Sequence, residues 1–203
     1  MDVNAHGVLN GQPAEYYERL AAEMKRPGES VYKKGGMNRD TLYFTQMFLR
    51  HRRALDLLCS RPEWSGHDLI VRGCSQGGTL ALACAALDPR VTRVCAGVPS
   101  LCDVTHPGSV GKWLDADASG ADTRRAKEAA AYVSVSNFAP RIKARAYFTA
   151  AFLDRSCDPE TVYAAHNAYG GPKKIYNGPL AGHSDIPREI HYDDFTGFMT
   201  EMA

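Results

Sequence analysis

The chain has 203 residues, 44% of them hydrophobic and 23% charged, which suits one globular domain able to bury a core of its own. Its 24 Lys and Arg stand against 23 Asp and Glu, a net charge of +1, and that neutrality gives no electrostatic footprint for nucleic acid or an anionic membrane surface. The charge balance fits a neutral partner or a small substrate better, and no run approaches the roughly 20 apolar residues of a spanning helix.

In chain order, Met1-Asp2-Val3-Asn4-Ala5-His6 lacks the basic and apolar parts of a secretory signal. Six cysteines (59, 74, 84, 95, 102 and 157) show no metal-type pairing, and Cys59, Cys84 and Cys95 lie in apolar contexts. Together these lead to the expectation of a reducing cytoplasm. Asp2 to Ala5 reads as the tail of a strand. A helix is expected after Pro13, and residues 26–39, with Pro27, Gly28, Gly35 and Gly36, read as an exposed loop. Asp40 is a good N-cap for a long helix reaching about Ser60, whose buried face would be Phe44, Met47, Phe48, Ala54, Leu55 and Leu58. His51 falls on or near that face and reads as a hydrogen-bonded helix residue, having no catalytic partner adjacent in sequence.

A short strand over Leu69 to Val71 comes next, then a glycine-rich turn, then a helix over 76–87 made almost wholly of small or apolar residues and so buried on most sides. Val91 to Val98 reads as a strand, 100–120 as irregular, Ala121 to Val133 as a helix and Ala144 to Leu153 as an apolar strand. Pro159 to Ala168 reads as a helix capped by Asp158, Lys173 to Tyr176 as a strand, and a last helix is expected from about Pro187. Strands alternating with helices imply parallel pairing in one layered α/β domain over residues 1–203.

The turn reads Gly73-Cys74-Ser75-Gln76-Gly77. A bare Gly-x-Ser-x-Gly arises often by chance, but here it follows an apolar strand and opens a helix, the setting of an α/β-hydrolase nucleophile elbow. There the glycines relieve clashes around a strained serine, and the helix N-terminus offers unpaired N–H groups, that of Gln76 first, to an oxyanion. A serine hydroxyl needs a base and an orienting acid, and in this fold they follow in the order Ser, acid, His. Asp154, at the end of an apolar strand, and His183, in the turn Gly182-His183-Ser184, occupy the expected places. Asp158 and Asp185 compete for the acid's role, His191 and His166 for the base's, the former placed in the final helix and the latter in a surface helix. Neither a Gly-x-Gly-x-x-Gly dinucleotide pattern nor a phosphate loop occurs, and no histidine–carboxylate cluster has metal spacing, so neither cofactor nor metal is expected. Cys74 reads as packing, as do Trp64 and Trp113.

The segment from Asp40 to Asp103, with Gly73-Cys74-Ser75-Gln76-Gly77-Gly78 and Ala86-Leu87-Asp88-Pro89-Arg90-Val91, resembles the acetyl xylan esterase and cephalosporin C deacetylase family. Asp40-Thr41-Leu42-Tyr43-Phe44, Arg53-Ala54-Leu55-Asp56, Leu153-Asp154, Thr161-Val162 and Gly182-His183 extend the similarity over most of the chain. The resemblance implies an α/β-hydrolase-like, mostly parallel sheet with helices on both faces. It implies a Ser75–His183–Asp154 triad that deacetylates small O-acetyl esters such as acetylated xylo-oligosaccharides, without a cofactor. The family carries a glutamate where this chain has Ser184. Met1 to Gly7 resembles the end of the family's fourth strand, so the first strands, and with them one of two oxyanion N–H groups, are expected to be missing. The edge so exposed leads to the expectation of a homo-oligomer. Two other readings stand beside the esterase: a non-catalytic oligomeric scaffold, and another acyl-transfer enzyme such as a peptidase or lactone hydrolase.

Overall fold

The computed structural model describes residues 11–24, 35–107, 109 and 120–187, the side chains of 120–122 excepted. The expected strand at Asp2 to Ala5, Trp113, the last helix and His191 lie outside the described residues.

Among the described residues four strands form one sheet, β1 (Ile70–Cys74), β2 (Arg93–Gly97), β3 (Arg145–Ala151) and β4 (Lys173–Gly178), in the order β1-β2-β3-β4. Every pairing is parallel, with Val71 opposite Val94, Val94 opposite Ala146 and Phe148 opposite Ile175. A parallel neighbour is reached only by a crossover, and right-handed crossovers advancing one strand at a time put their helices on one face. That face holds α2 (Tyr43–Cys59), α3 (Gln76–Leu87), the short α5 (Val135–Phe138) and α6 (Pro159–Ala168). Leu82, Val94, Phe148, Val135 and Val162, all fully buried, form its centre. The opposite face carries Cys95, Tyr147 and Tyr176, with Val98 and Ala151 packed on Ala181 and Ile186. Two further helices are α1 (Ala14–Met24), as expected after Pro13, and α4 (Gly120–Ala131).

α3 is buried continuously from Gly78 to Ala85, which explains its lack of a polar stripe. α2 buries Phe44, Met47, Phe48 and Leu55 as its periodicity predicts, and His51 Nδ1 lies 2.8 Å from the Met47 carbonyl, a local helix contact. Asp40, however, does not cap it. The helix begins three residues later behind Leu42, without a side-chain cap, because Asn38 takes the preceding turn: its Oδ1 accepts from Asp40 N (2.9 Å) and its carbonyl from Leu42 N (2.9 Å). Complete burial of Leu42 then anchors the start of the helix. Asp158 does cap α6, accepting from Glu160 N at 3.0 Å, and Pro159 takes the first position, where no N–H is needed. His166 is half-buried on that helix, edge-on to the Phe148 ring at 5.4 Å, so it is less of a surface residue than expected.

Candidate active site

All four strands end on one side of the molecule, and every predicted site residue lies in a segment just beyond such an end, where ligands of parallel α/β sheets bind. Ser75 leaves β1 with φ 56° and ψ −121°, a conformation costly for any residue with a side chain. The surroundings hold it there. Ser75 N donates to Gly97 O (2.8 Å), and Ser75 O accepts from Ser100 N (3.1 Å) and Thr79 N (3.2 Å). A Cβ on Gly73 would stand 2.1 Å from the Gly77 carbonyl group, so the turn closes only with glycine there. Gly78 lets α3 lie against β2, since a Cβ would meet Gly97 O and Pro99 Cβ at 3.1 Å. Strain extends to the receiving side, where Val98 (φ 35°) and Leu101 (φ 50°) flank Pro99-Ser100. The Val98 amide is held by both the carbonyl (3.1 Å) and the hydroxyl (3.0 Å) of Thr149.

β3 delivers Asp154, whose side chain is fully buried. Oδ1 accepts from Ser156 N (2.8 Å) and Cys157 N (2.9 Å), closing the loop into α6, while Oδ2 faces His183 Nδ1 at 2.7 Å. His183 sits in the turn after β4, its side chain 31% exposed. An imidazole donating Nδ1–H to that carboxylate keeps its Nε2 lone pair for proton transfer. The other acids are engaged elsewhere: Asp158 as the cap of α6, and Asp185 Oδ2 in accepting from Gly182 N at 3.2 Å.

Acid and imidazole are thus brought together as expected, but the serine hydroxyl is turned aside. Ser75 Oγ lies 3.8 Å from Cys157 Sγ, and among the described residues no hydrogen bond joins it to His183. Gln76 opens α3, and its side-chain Nε2 donates to Tyr43 Oη at 3.3 Å. Cys74, expected to pack, is exposed. Cys157 is the residue that the sequence reading missed. It is buried, and burial, with smaller effects from Asp154 and Cys74, pushes its thiol up to about 12 against the pull of Ser75. Its sulfur, a His183 ring nitrogen and an Asp154 oxygen all lie within 4.8 Å of one another. Its position three residues past the acid was the available signal, but 82 residues separate it from Ser75.

A serine elbow ending one parallel strand, with a carboxylate and an imidazole returned from later strand ends, defines an α/β-hydrolase. Within that class the acetyl xylan esterase (AXE1) family matches residues 8–198, and the chain belongs to that family. The acetyl esterase Axe7A of Xylanibacter ruminicola is 32% identical over 193 residues, covering 90% of this chain and 42% of that protein. Acetyl xylan esterases of Paenibacillus sp. R4 (TM-score 0.76, 30% identity) and Thermoanaerobacterium sp. JW/SL YS485 (TM-score 0.73, 28% identity) each match 87% of this chain, and 58% and 59% of their own. The chain therefore spans about half the length of these relatives. An acylaminoacyl peptidase of Pyrococcus horikoshii (TM-score 0.60, 15% identity) shares the fold.

Proposed function

We propose that this chain carries the catalytic centre of an esterase that removes small acyl groups, acetyl above all, from O-acetylated sugars or similar small esters. Ser75 attacks the ester carbonyl. His183 takes the proton from Oγ and returns it to the leaving alcohol, and it then takes a proton from water, which displaces the acyl group as the carboxylic acid while the imidazole gives that proton back to Oγ. Asp154 holds the imidazole in orientation, and Gln76 N–H faces the tetrahedral oxyanion. The observation that carries this reading is the contact between the buried Asp154 carboxylate and His183, set beside a serine held in a strained backbone conformation at a strand end. Ser75 must rotate off Cys157 towards Nε2 for the reaction, a tightening ordinary for a site without substrate. Acetyl specificity is supported by the family and by the names of the relatives above.

The test is hydrolysis of p-nitrophenyl acetate, compared with butyrate and peptide substrates. Ser75→Ala should lower turnover by about 10⁴ or more and His183→Ala nearly as far. Activity surviving both changes defeats the assignment. The contact of Ser75 with Cys157 favours a second reading, a non-catalytic scaffold, and absence of turnover in the unmodified chain would select it.

We further propose a homo-oligomer. Among the described residues β1 pairs on one side only, with β2, and a groove of about 320 Å³ lined by Leu55, Leu58, Val71, Leu80 and Ala81 runs beside it. A strand edge without a partner among the described residues, beside a groove that Leu58 and Val71 help to line, invites a second copy. Light scattering should show an assembly that Leu58→Arg dissociates, and a monomeric unmodified chain overturns the proposal.

A further inference from the structure

The corner between Ser75, Asp154, Cys157 and His183 gathers more than hydrolysis uses. A serine, an acid and an imidazole account for the proposed reaction. The thiol has no part in it, yet it is buried among the three. Sulfur, imidazole nitrogen and carboxylate oxygen from two separate loops, all mutually within 4.8 Å, are the donor types that zinc takes. Tetrahedral zinc with bonds of about 2.3 Å to sulfur and about 2.0 Å to nitrogen sets those ligands roughly 3.5 Å apart. The carboxylate is prearranged too, since two backbone amides hold Asp154 Oδ1 and leave Oδ2 directed at His183.

We propose that this corner is an inhibitory site for a thiophilic divalent cation, zinc in the first place, bound by Cys157 Sγ and His183 with Asp154 as the third ligand. The site rests on the ligand geometry, and its inhibitory effect rests on the esterase reading. The Cys157 thiol gives its proton to solvent as the sulfur–metal bond forms, with no change in oxidation state. The ion takes the place of the Nδ1 proton between His183 and Asp154, that proton moves to Nε2, and the ring keeps no lone pair for the Ser75 proton, so the bound form does not turn over.

Two measurements on the full chain test this. In the first, cobalt(II) replaces zinc as a visible probe, and binding should give a thiolate-to-cobalt charge-transfer band in the near ultraviolet. The band should be lost in Cys157→Ser and in His183→Ala but kept in Cys74→Ala, which removes the exposed thiol nearby. In the second, zinc should suppress p-nitrophenyl acetate hydrolysis and EDTA should restore it. Each variant is read against its own metal-free rate. Loss of outer-shell partners alone costs 10–100-fold in metal affinity, so loss of the sulfur ligand in Cys157→Ser should weaken inhibition by about 100-fold or more. Absence of the band in the unmodified chain overturns the proposal. So does a band that follows Cys74, or zinc sensitivity unchanged in Cys157→Ser. If the chain hydrolyses no ester, the cobalt arm still decides whether the site exists, so failure of the esterase reading is distinct from failure of this one.

Discussion

The two halves of the candidate site are built differently. The serine half is backbone engineering: Ser75 is held by three main-chain hydrogen bonds, seated on a buried helix, and closed by a glycine that tolerates no substituent. The acid–base half is side-chain engineering: a carboxylate, itself tied to its own loop, holds an imidazole on the next loop that is still one-third exposed. The first half stores strain against a rigid frame, and the second keeps the adjustable group where solvent and substrate can reach it. A nucleophile that must be exposed at a sharp turn has to be over-determined. A base that moves protons needs only one fixed hydrogen bond.

Substitutions should separate the halves. The largest effect expected is on rate, from Asp154→Asn. The amide oxygen still accepts from Ser156 N and Cys157 N, but its NH₂ now faces Nδ1 and favours the wrong tautomer. Turnover of p-nitrophenyl acetate should fall about 10⁴-fold with the denaturation midpoint almost unchanged. Gly73→Ala should do the reverse. Its Cβ meets backbone that cannot yield, so about 4 kcal/mol or more of stability should be lost in urea titration, and residual folded protein should have a misplaced serine.

Asp88→Ala tests the frame at the far end of α3. The buried Asp88 carboxylate is held below its usual range chiefly by Arg90, whose Nη2 lies 2.7 Å from Oδ2, with Arg52 at 3.5 Å. Because both guanidinium groups are about one-third exposed, a loss of about 2 kcal/mol is expected, between the values for exposed and buried pairs, without a change in the pH profile of activity. The smallest effect concerns His166. Burial against Phe148 holds its imidazole below the ordinary value, so the folded state resists its protonation. The sign follows: the neutral ring costs nothing at pH 7, and stability is lost as pH falls through and below the ordinary imidazole range. Denaturation midpoints at pH 7 and 5 should therefore differ more for the unmodified chain than for His166→Gln.

How legible each part was in the sequence follows the range of the interactions that make it. α6 was legible at both ends because Asp158-Pro159 carries cap and first turn within two residues. The elbow was legible because its glycines are local to it. The start of α2 was misread because Asn38, two residues ahead of Asp40, captured the turn. The strained Val98 and Leu101 bear no local mark, since contacts with β3 and the elbow impose their conformation and no glycine stands at either place. Cys157 carried only the weak signal of its place three residues past Asp154, because its proximity to Ser75 and His183 exists only once all four strands lie side by side.

One further consequence lies in how Ser75 is stitched. Its amide donates to Gly97, the last residue of β2, and its carbonyl accepts from Ser100 as well as from Thr79 in its own helix, so both main-chain atoms of Ser75 are fastened to β2 and the chain leaving it. On the proposed esterase reading, sliding β1 and β2 past each other displaces Ser75 together with the strand ends, so turnover would report on their register.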